Sequence, residues 1–481
     1  MSAAPPGAWG WDEPTLRAQG ERALALALGH LSDVRPRPVF APVDTAAAER
    51  LREEPWPAAG CAPDQLLDEV AGTVLEHPFG NGHPRFHGWV NSPPDRAGVF
   101  AALLAAAVNP SCAGGNHAAL HVERQVIRWL ADTVGLPPGS GGLLLSGGSM
   151  ATLTALAAAR HARAPFDVRA LGLAGGPPMG VYATPEAHSC VTKAVELLGI
   201  GRRNLRVVAT DARGRMDADA LDDLLADEQP DARPIAVIAT AGSVSTGAID
   251  PLEPIAEVCE RRGVWLHVDG AYGAPAVLAP AVRPLLRGLE RADSIALDPH
   301  KWLYVPVDAG ALLVREPERL RDAFSLVPPY LRTEAAPDGV SDAPWLSEYG
   351  FEQTRPFRAL RVWAAMKATG RDGYRRLVEH DLALAARLAD RVAADDRLEL
   401  VAHGLSIVCF RSRAADADAD ALQVEVARRI QLGGEAFLTT TRVAGRTCLR
   451  ACIVNPLTTE TDMDDLVTLV RRVAGDVAGG R

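Results

Sequence analysis

Ser294-Ile-Ala-Leu-Asp-Pro-His-Lys-Trp-Leu303 is the stretch on which the fold turns. Ser294–Leu297 is a short apolar run of strand type, and a polar Asp-Pro-His-Lys turn follows it at once. The same grammar recurs upstream. Val264-Trp-Leu-His-Val-Asp269 is followed by a glycine, and Pro234-Ile-Ala-Val-Ile-Ala-Thr240 is apolar almost throughout. Leu205 to Thr210, Val181-Tyr-Ala-Thr184 and Leu143-Leu-Leu-Ser146 read as further strands. Between them fall helical patterns at Ser149–Arg160, about His188–Leu198 and Pro251–Arg262. Continuous apolar runs, rather than alternating ones, mean strands buried on both faces. Their alternation with helices predicts a mostly parallel sheet between helical layers, an α/β domain over residues 95–370.

On either side the pattern changes. Residues 1–94 are poor in strand signals and punctuated by prolines, with helices at Leu16–Leu31 and Thr45–Leu51, so they read as a helical arm. Residues 371–481 read as a small α+β domain. Its expected elements are a helix to Asp395, strands near Leu398–Val401, Ser406–Arg411 and Cys448–Val454, and helices near Ala417–Ile430 and Glu460–Ala474. The alternating Asp and Ala of Ala414–Ala421 read as a solvated loop or helix start.

The 481 residues carry a net charge of −10, which argues against a nucleic-acid partner. The longest membrane candidate, Ala97–Val108, is too short to span a bilayer, and Met1–Gly10 has no basic residue ahead of an apolar stretch. A cytoplasmic protein without a membrane partner is therefore expected. Seven scattered cysteines read as buried free thiols, with Cys448 and Cys452 in the core and no metal site.

Four features carry chemistry, each at the C-terminal end of a strand, where such sheets bind ligands. Lys301 offers an amine that can form a Schiff base with an aldehyde cofactor, provided its neighbours favour the neutral form; the bland alternative is a lysine lying beside Trp302. Asp269, 32 residues earlier, suits a carboxylate that keeps a pyridinium nitrogen protonated, or merely a turn former. The Ser146-Gly-Gly-Ser-Met-Ala-Thr152 turn suits a phosphate at a helix N-terminus, or is only a connection. His188 could stack on an aromatic ring, or cap a helix.

Together these features, in this order, resemble the group II pyridoxal-5′-phosphate (PLP) decarboxylases, the aromatic-L-amino-acid, histidine and glutamate decarboxylase group, of fold type I, which implies a mostly parallel seven-stranded-type sheet in the large domain. The resemblance spans about Leu66 to Val473 and is most specific at Ala296–Leu303, Trp265–Tyr272, Ile238–Gly242 and Thr246–Leu252. It implies that Lys301 forms the Schiff base, Asp269 pairs with the pyridine nitrogen, and His188 and Ala271 pack on opposite ring faces. Gly148 and Ser149 would hold the phosphate, with His300 and Asp298 beside the cofactor. Trp89 and Asn91, from His83-Pro-Arg-Phe-His-Gly-Trp-Val-Asn91, would line the substrate pocket. The family is dimeric, so Gln353-Thr354-Arg355 would reach the partner's phosphate, with Thr354 as the cofactor contact.

Three departures bear on substrate. Val244 stands where relatives carry a threonine hydroxyl near cofactor or substrate. Gly114–Val122 replaces a longer loop that shapes the partner's pocket; Asn116, His117 and His121 add polarity there, which argues against an aromatic substrate. The mobile loop between Arg332 and Gly350 has no tyrosine from Ala335 to Ser347, and Tyr349 falls near its hinge. Relatives altered at that tyrosine release an aldehyde by reaction with oxygen. The expected reaction is thus decarboxylation of an L-amino acid at Cα through a quinonoid, with an amine or an aldehyde as product. PLP-dependent β-elimination from a cysteine-like substrate and a non-catalytic dimer are the alternatives. A fold type I aminotransferase shares the scaffold but not the surroundings of Lys301.

Overall fold

The structure is a computed structural model and describes residues 10–226, 233–326, 344–413 and 419–480. Seven strands form the central sheet: β1 (Gly141–Leu145), β2 (Met179–Ala183), β3 (Leu205–Val207), β4 (Arg233–Thr240), β5 (Trp265–Asp269), β6 (Ser294–Leu297) and β7 (Gly310–Val314). They lie in the order β1-β7-β6-β5-β4-β2-β3. Only β7 runs antiparallel to its neighbours, paired with β1 and β6; the other six are parallel. The near-continuous apolar runs follow from burial on both faces. In β7, Ala311 and Leu313 enter one core, whereas Leu312 and Val314 enter the other.

The strand readings at β1 to β6 match observed strands to within a few residues, and β7 is an addition to them. Two helices absent from the sequence reading, Arg96–Val108 and Ala118–Val134, also belong to this domain. The helix Ala359–Ala393 crosses into the small domain with a kink at Gly370, whose φ of 67° suits glycine.

The small domain is a four-stranded antiparallel sheet ordered β10-β11-β9-β8, from β8 (Leu398–Gly404), β9 (Ile407–Ser412), β10 (Thr439–Val443) and β11 (Arg446–Cys452). The helices Ala419–Gly433 and Glu460–Ala478 pack against it. Cys448 and Cys452 are in the core as expected; of the seven free thiols, Cys61 is the exposed exception. No helix among the described residues is long and apolar enough to cross a membrane.

The arm is joined to the small domain through its last residues. His87 donates its N–H to Phe437 O at 2.7 Å, Phe437 returns one to Arg85 O at 3.0 Å, and the Phe86 and Phe437 rings stack at 4.8 Å. This junction carries the 83–91 segment to the mouth of the sheet's C-terminal edge.

Candidate active site

The C-terminal ends of β1, β2, β4, β5 and β6 open into one cleft of about 470 Å³. Its wall includes Lys301, Asp269, His188, Gly148, Ser149, Ala271, Asp298, His300, Trp89, Asn91 and Val244. These eleven predicted residues arrive from separate strand ends and from the arm, so the topology has gathered them.

Lys301 Nζ lies 2.9 Å from Asp298 Oδ2, and the Asp298 side chain is almost fully buried. Burial pulls the lysine pKa down, but the Asp298 and Asp269 carboxylates outweigh it and leave the pKa raised. The condition of neighbours that favour a neutral amine is therefore not met by Asp298 and Asp269, which favour the ammonium. His300 Nδ1 accepts the Ala309 N–H at 3.0 Å, which places the proton of its neutral ring on Nε2, 3.6 Å from Asp298 Oδ2. Burial lowers the His300 pKa, partly countered by Asp298. Asp269 Oδ1 accepts the Ala271 N–H at 3.2 Å, and His188 Nδ1 accepts the Cys190 N–H at 3.2 Å. Each carboxylate or imidazole is thus fixed by the backbone just beyond it.

The helix Gly148–Arg163 starts at Gly147 without any side-chain cap, so its first N–H groups face the cleft mouth unpaired by side chains. A Cβ on Gly148 would come within 2.9 Å of Ala271 Cβ and 3.1 Å of Asp298 Oδ2. The turn must be glycine for the wall to close this tightly. Bare helix N–H groups for a phosphate, an amine for an aldehyde and a carboxylate for a pyridine nitrogen are the donor set that PLP requires.

Two predicted residues stand elsewhere in this chain. His117 is the N-cap residue of the helix Ala118–Val134 and does not line the cleft; its neighbours Asn116 and His121 bond each other at 2.8 Å. Thr354 is exposed outside the cleft. The reach of Arg355 to a partner's phosphate is also corrected. Arg355 is buried, ion-paired to Glu123, and donates to Leu144 O at 2.9 Å. Glu123 also accepts the Leu144 N–H at 3.0 Å, so this pair clamps β1 immediately before the glycine turn. Tyr349 sits in the turn Leu346–Tyr349, its hydroxyl 3.4 Å from Glu318. Most of the loop from Arg332 to Gly350, Arg332 itself included, lies outside the described residues, as does most of Ala414–Ala421.

Glu186, Cys190, Thr240 and Tyr272 also line the cleft and had no assigned role. Glu186 could have been noticed two residues before His188. Thr240 Oγ1 is buried without a hydrogen-bond partner. Asp250 explains why the Thr246–Leu252 motif is specific: it accepts the N–H groups of Met216 and Thr240, each at 2.7 Å, and so pins the end of β4. Arg450 on β11 backs the wall, donating to Val244 O at 2.8 Å and Trp89 O at 3.0 Å. Trp89 packs on Phe79 and Phe437 at ring distances of 5.2 and 5.5 Å, making one side of the cleft aromatic.

Residues 49–413 match the family described as pyridoxal-dependent decarboxylase conserved domain. The chain is 32% identical over 472 residues to an aromatic-L-amino-acid decarboxylase of Bacillus atrophaeus, covering 96% of both chains. It is 33% identical to an L-2,4-diaminobutyrate decarboxylase of Rhizobium meliloti, over 88% of this chain and 84% of that one. Among solved structures, Oryza sativa TDC with PLP and tryptamine superposes with a TM-score of 0.89 at 28% identity, covering 99% of this chain and 100% of that one. With a family match over most of its length and relatives above 30% identity from end to end, this chain belongs to the pyridoxal-dependent decarboxylases, enzymes that use PLP to remove the carboxylate of an amino acid.

Proposed function

We propose that Lys301 carries the cofactor and that the cleft removes CO2 from Cα of an L-amino acid held between Trp89, Asn91 and Val244. The observation that carries this reading is the convergence of Lys301, Asp269 and His188 beside an uncapped helix N-terminus. When bound, PLP supplies a protonated ring that takes up the electron pair left at Cα. Asp269 holds the proton at the ring nitrogen, and Gly148 and Ser149 present N–H groups to the phosphate. Ala271 and His188 sandwich the ring. His188, with Nδ1 occupied by the Cys190 N–H, keeps Nε2 for a proton on the substrate side.

Lys301 is the sole lysine or arginine among the described residues lining the cleft and is committed to the cofactor, while Arg450 lies buried behind the wall with its guanidinium on the Val244 and Trp89 carbonyls. Glu186 adds a carboxyl group to the lining, beside Ser245. This charge balance favours a neutral or cationic substrate side chain over an acidic one. A second reading concerns the product. Val244, 39% exposed in the cleft, offers no hydroxyl where a proton could be relayed, which favours some aldehyde formation with oxygen. Assays of CO2, amine, aldehyde and peroxide on a panel of amino acids, run with and without oxygen, test both points. Equal amine yields under both conditions, with no aldehyde trapped, would remove the oxidative reading.

The working unit is a cytoplasmic homodimer in this proposal. Phe100, Leu103, Leu104 and Val108 form an exposed apolar stripe on the helix Arg96–Val108. The opposite side of that helix packs at Gly98 against Pro306, just beyond Lys301. A second copy on this stripe would stand beside the cleft, within reach of Thr354 and His117. Seven free thiols suit a reducing compartment.

A further inference from the structure

The turn that bears Lys301 is anchored from behind by a carboxylate with no part in the cleft. Asp381, on the helix Ala359–Ala393, is fully buried. Its Oδ2 accepts from Trp302 Nε1 at 2.8 Å and from the Tyr304 hydroxyl at 2.6 Å, and the Asn455 backbone N–H also faces the carboxylate, too poorly aligned to give Oδ1 a full hydrogen bond. Trp302 and Tyr304 are the first and third residues after Lys301. A buried carboxylate with one poorly satisfied oxygen is a costly way to hold a helix against a loop, since an apolar contact would serve for packing alone. Burial pushes this carboxyl up to about 7 even against the Tyr304 and Trp302 hydrogen bonds.

What Asp381 holds is a conformation that a non-glycine residue does not adopt without support. Tyr304 has φ 56°, in the left-handed region. Its N–H reaches back to Lys301 O at 3.2 Å, and its own carbonyl accepts the Asp95 N–H at 2.6 Å. The Trp302 indole, held at its N–H end, stacks on Tyr272 with ring centres 5.0 Å apart and planes 16° from parallel. Tyr272 in turn lines the cleft and bonds Ser406 Oγ of the small domain at 2.6 Å. Rotation of Trp302 or Tyr304 would therefore move both the Lys301 backbone and a wall of the cleft.

We propose that Asp381 is a positioning residue for Lys301: from the helix Ala359–Ala393 it locks Trp302 and Tyr304 and so fixes the turn from which the Lys301 amine enters the cleft. The inference rests on the reading of Lys301 as the cofactor lysine. Asp381 does not line the cleft; it acts on the turn through Trp302 and Tyr304.

The test uses the PLP-loaded full chain. Asp381→Leu removes the acceptor while keeping the same branched heavy-atom skeleton, and Asp381→Asn keeps an acceptor oxygen without the charge. Leu388→Ala is the control: it lies on the same helix, buried in the small-domain core, and loses packing without touching the turn. The readouts are cofactor affinity, the pH midpoint of the visible cofactor band, kcat and KM separately, and Tm. Asp381→Leu is expected to lower kcat by about 100-fold at full cofactor load, with KM changed much less, because a small misplacement of a reacting group has that scale of cost. It should also shift the midpoint of the visible band, and Asp381→Asn should recover most of both. Leu388→Ala should lower Tm and leave kcat and the midpoint in place. If Asp381→Leu changes only Tm, as the control does, the proposal is overturned. If Asp381→Leu does not fold, Tyr304→Phe stands in, with a smaller shift expected in the same direction; an unchanged midpoint and kcat in Tyr304→Phe would then overturn it. Borohydride reduction of the wild type separates the two readings: no adduct on Lys301 ends both, whereas an adduct with unaltered Asp381→Leu chemistry ends only this one.

Discussion

At the scale of single residues, the site is a set of side chains whose protonation is fixed by near neighbours. Burial opposes the charge on Lys301, but Asp298 at 2.9 Å and Asp269 together favour the ammonium, so Schiff-base formation has to work against both carboxylates. Asp269→Asn is expected to keep PLP bound, seen as the visible band, and to lose turnover by about 100-fold or more, because the ring nitrogen then lacks a charged partner. Normal turnover in that variant would show that Asp269 is not the ring's counter-ion. Arg355→Met should destabilise the fold by about 3–5 kcal/mol in denaturant unfolding, because it strands the buried Glu123 charge. Most of the cleft was legible because its residues sit at the ends of apolar strands, where local sequence already marks a strand-to-turn step. Arg355 was not. Its partner Glu123 is 232 residues away in sequence, and nothing local says that an arginine near a conspicuous turn will be neutralised in the core. Arg450 was missed for the same reason: it enters the cleft wall through carbonyls of Val244 and Trp89, which the fold alone brings near.

At the scale of elements, the glycine turn after β1 does two jobs: it ends the strand and leaves a helix N-terminus bare. Gly148→Ala should therefore weaken PLP binding by about 10-fold, roughly 1.4 kcal/mol, while circular dichroism stays unchanged; affinity equal to wild type would mean the Ala271 and Asp298 contacts can relax. The strands β1 to β6 could be read from their apolar runs, which is what burial on both faces produces. The position of β7 could not. Gly310–Val314 is apolar enough, but its antiparallel insertion between β1 and β6 is set by chain path rather than composition. β10 escaped notice because Thr439–Val443 is a polar edge strand that alternates between partly buried and exposed residues. The helix Arg96–Val108 was weighed only as a membrane span; its length and alanine content fit a helix with one face on Pro306 and the other exposed.

At the scale of the whole molecule, the arm, the sheet and the small domain meet around the cleft, and Asp462 is one of their ties. It accepts hydrogen bonds from Arg35 and Arg85 of the arm and from Thr459, at the start of the last helix. Burial opposes its ionisation, but the Arg35, Thr459 and Arg85 hydrogen bonds prevail and hold the carboxyl well below the usual range. A depressed carboxyl gives stability that is complete above the unfolded value of about 4 and is lost as pH falls through the folded value. Asp462→Asn should thus cost about 1–3 kcal/mol at neutral pH, and its urea midpoint should approach that of the wild type as the medium is acidified below the carboxylate range. A constant gap across pH would assign the effect to the lost helix cap instead. Leu103→Asp with Leu104→Asp should split the proposed dimer in sedimentation, and a dimer that survives both changes would place the interface elsewhere. The account as a whole stands on Lys301. The most direct test is to reduce the PLP-loaded protein with borohydride, digest it and locate the pyridoxyl adduct by mass spectrometry. The account predicts one adduct per chain, on Lys301, absent from Lys301→Ala; an adduct on another lysine, or a visible cofactor band unchanged in Lys301→Ala, would contradict it.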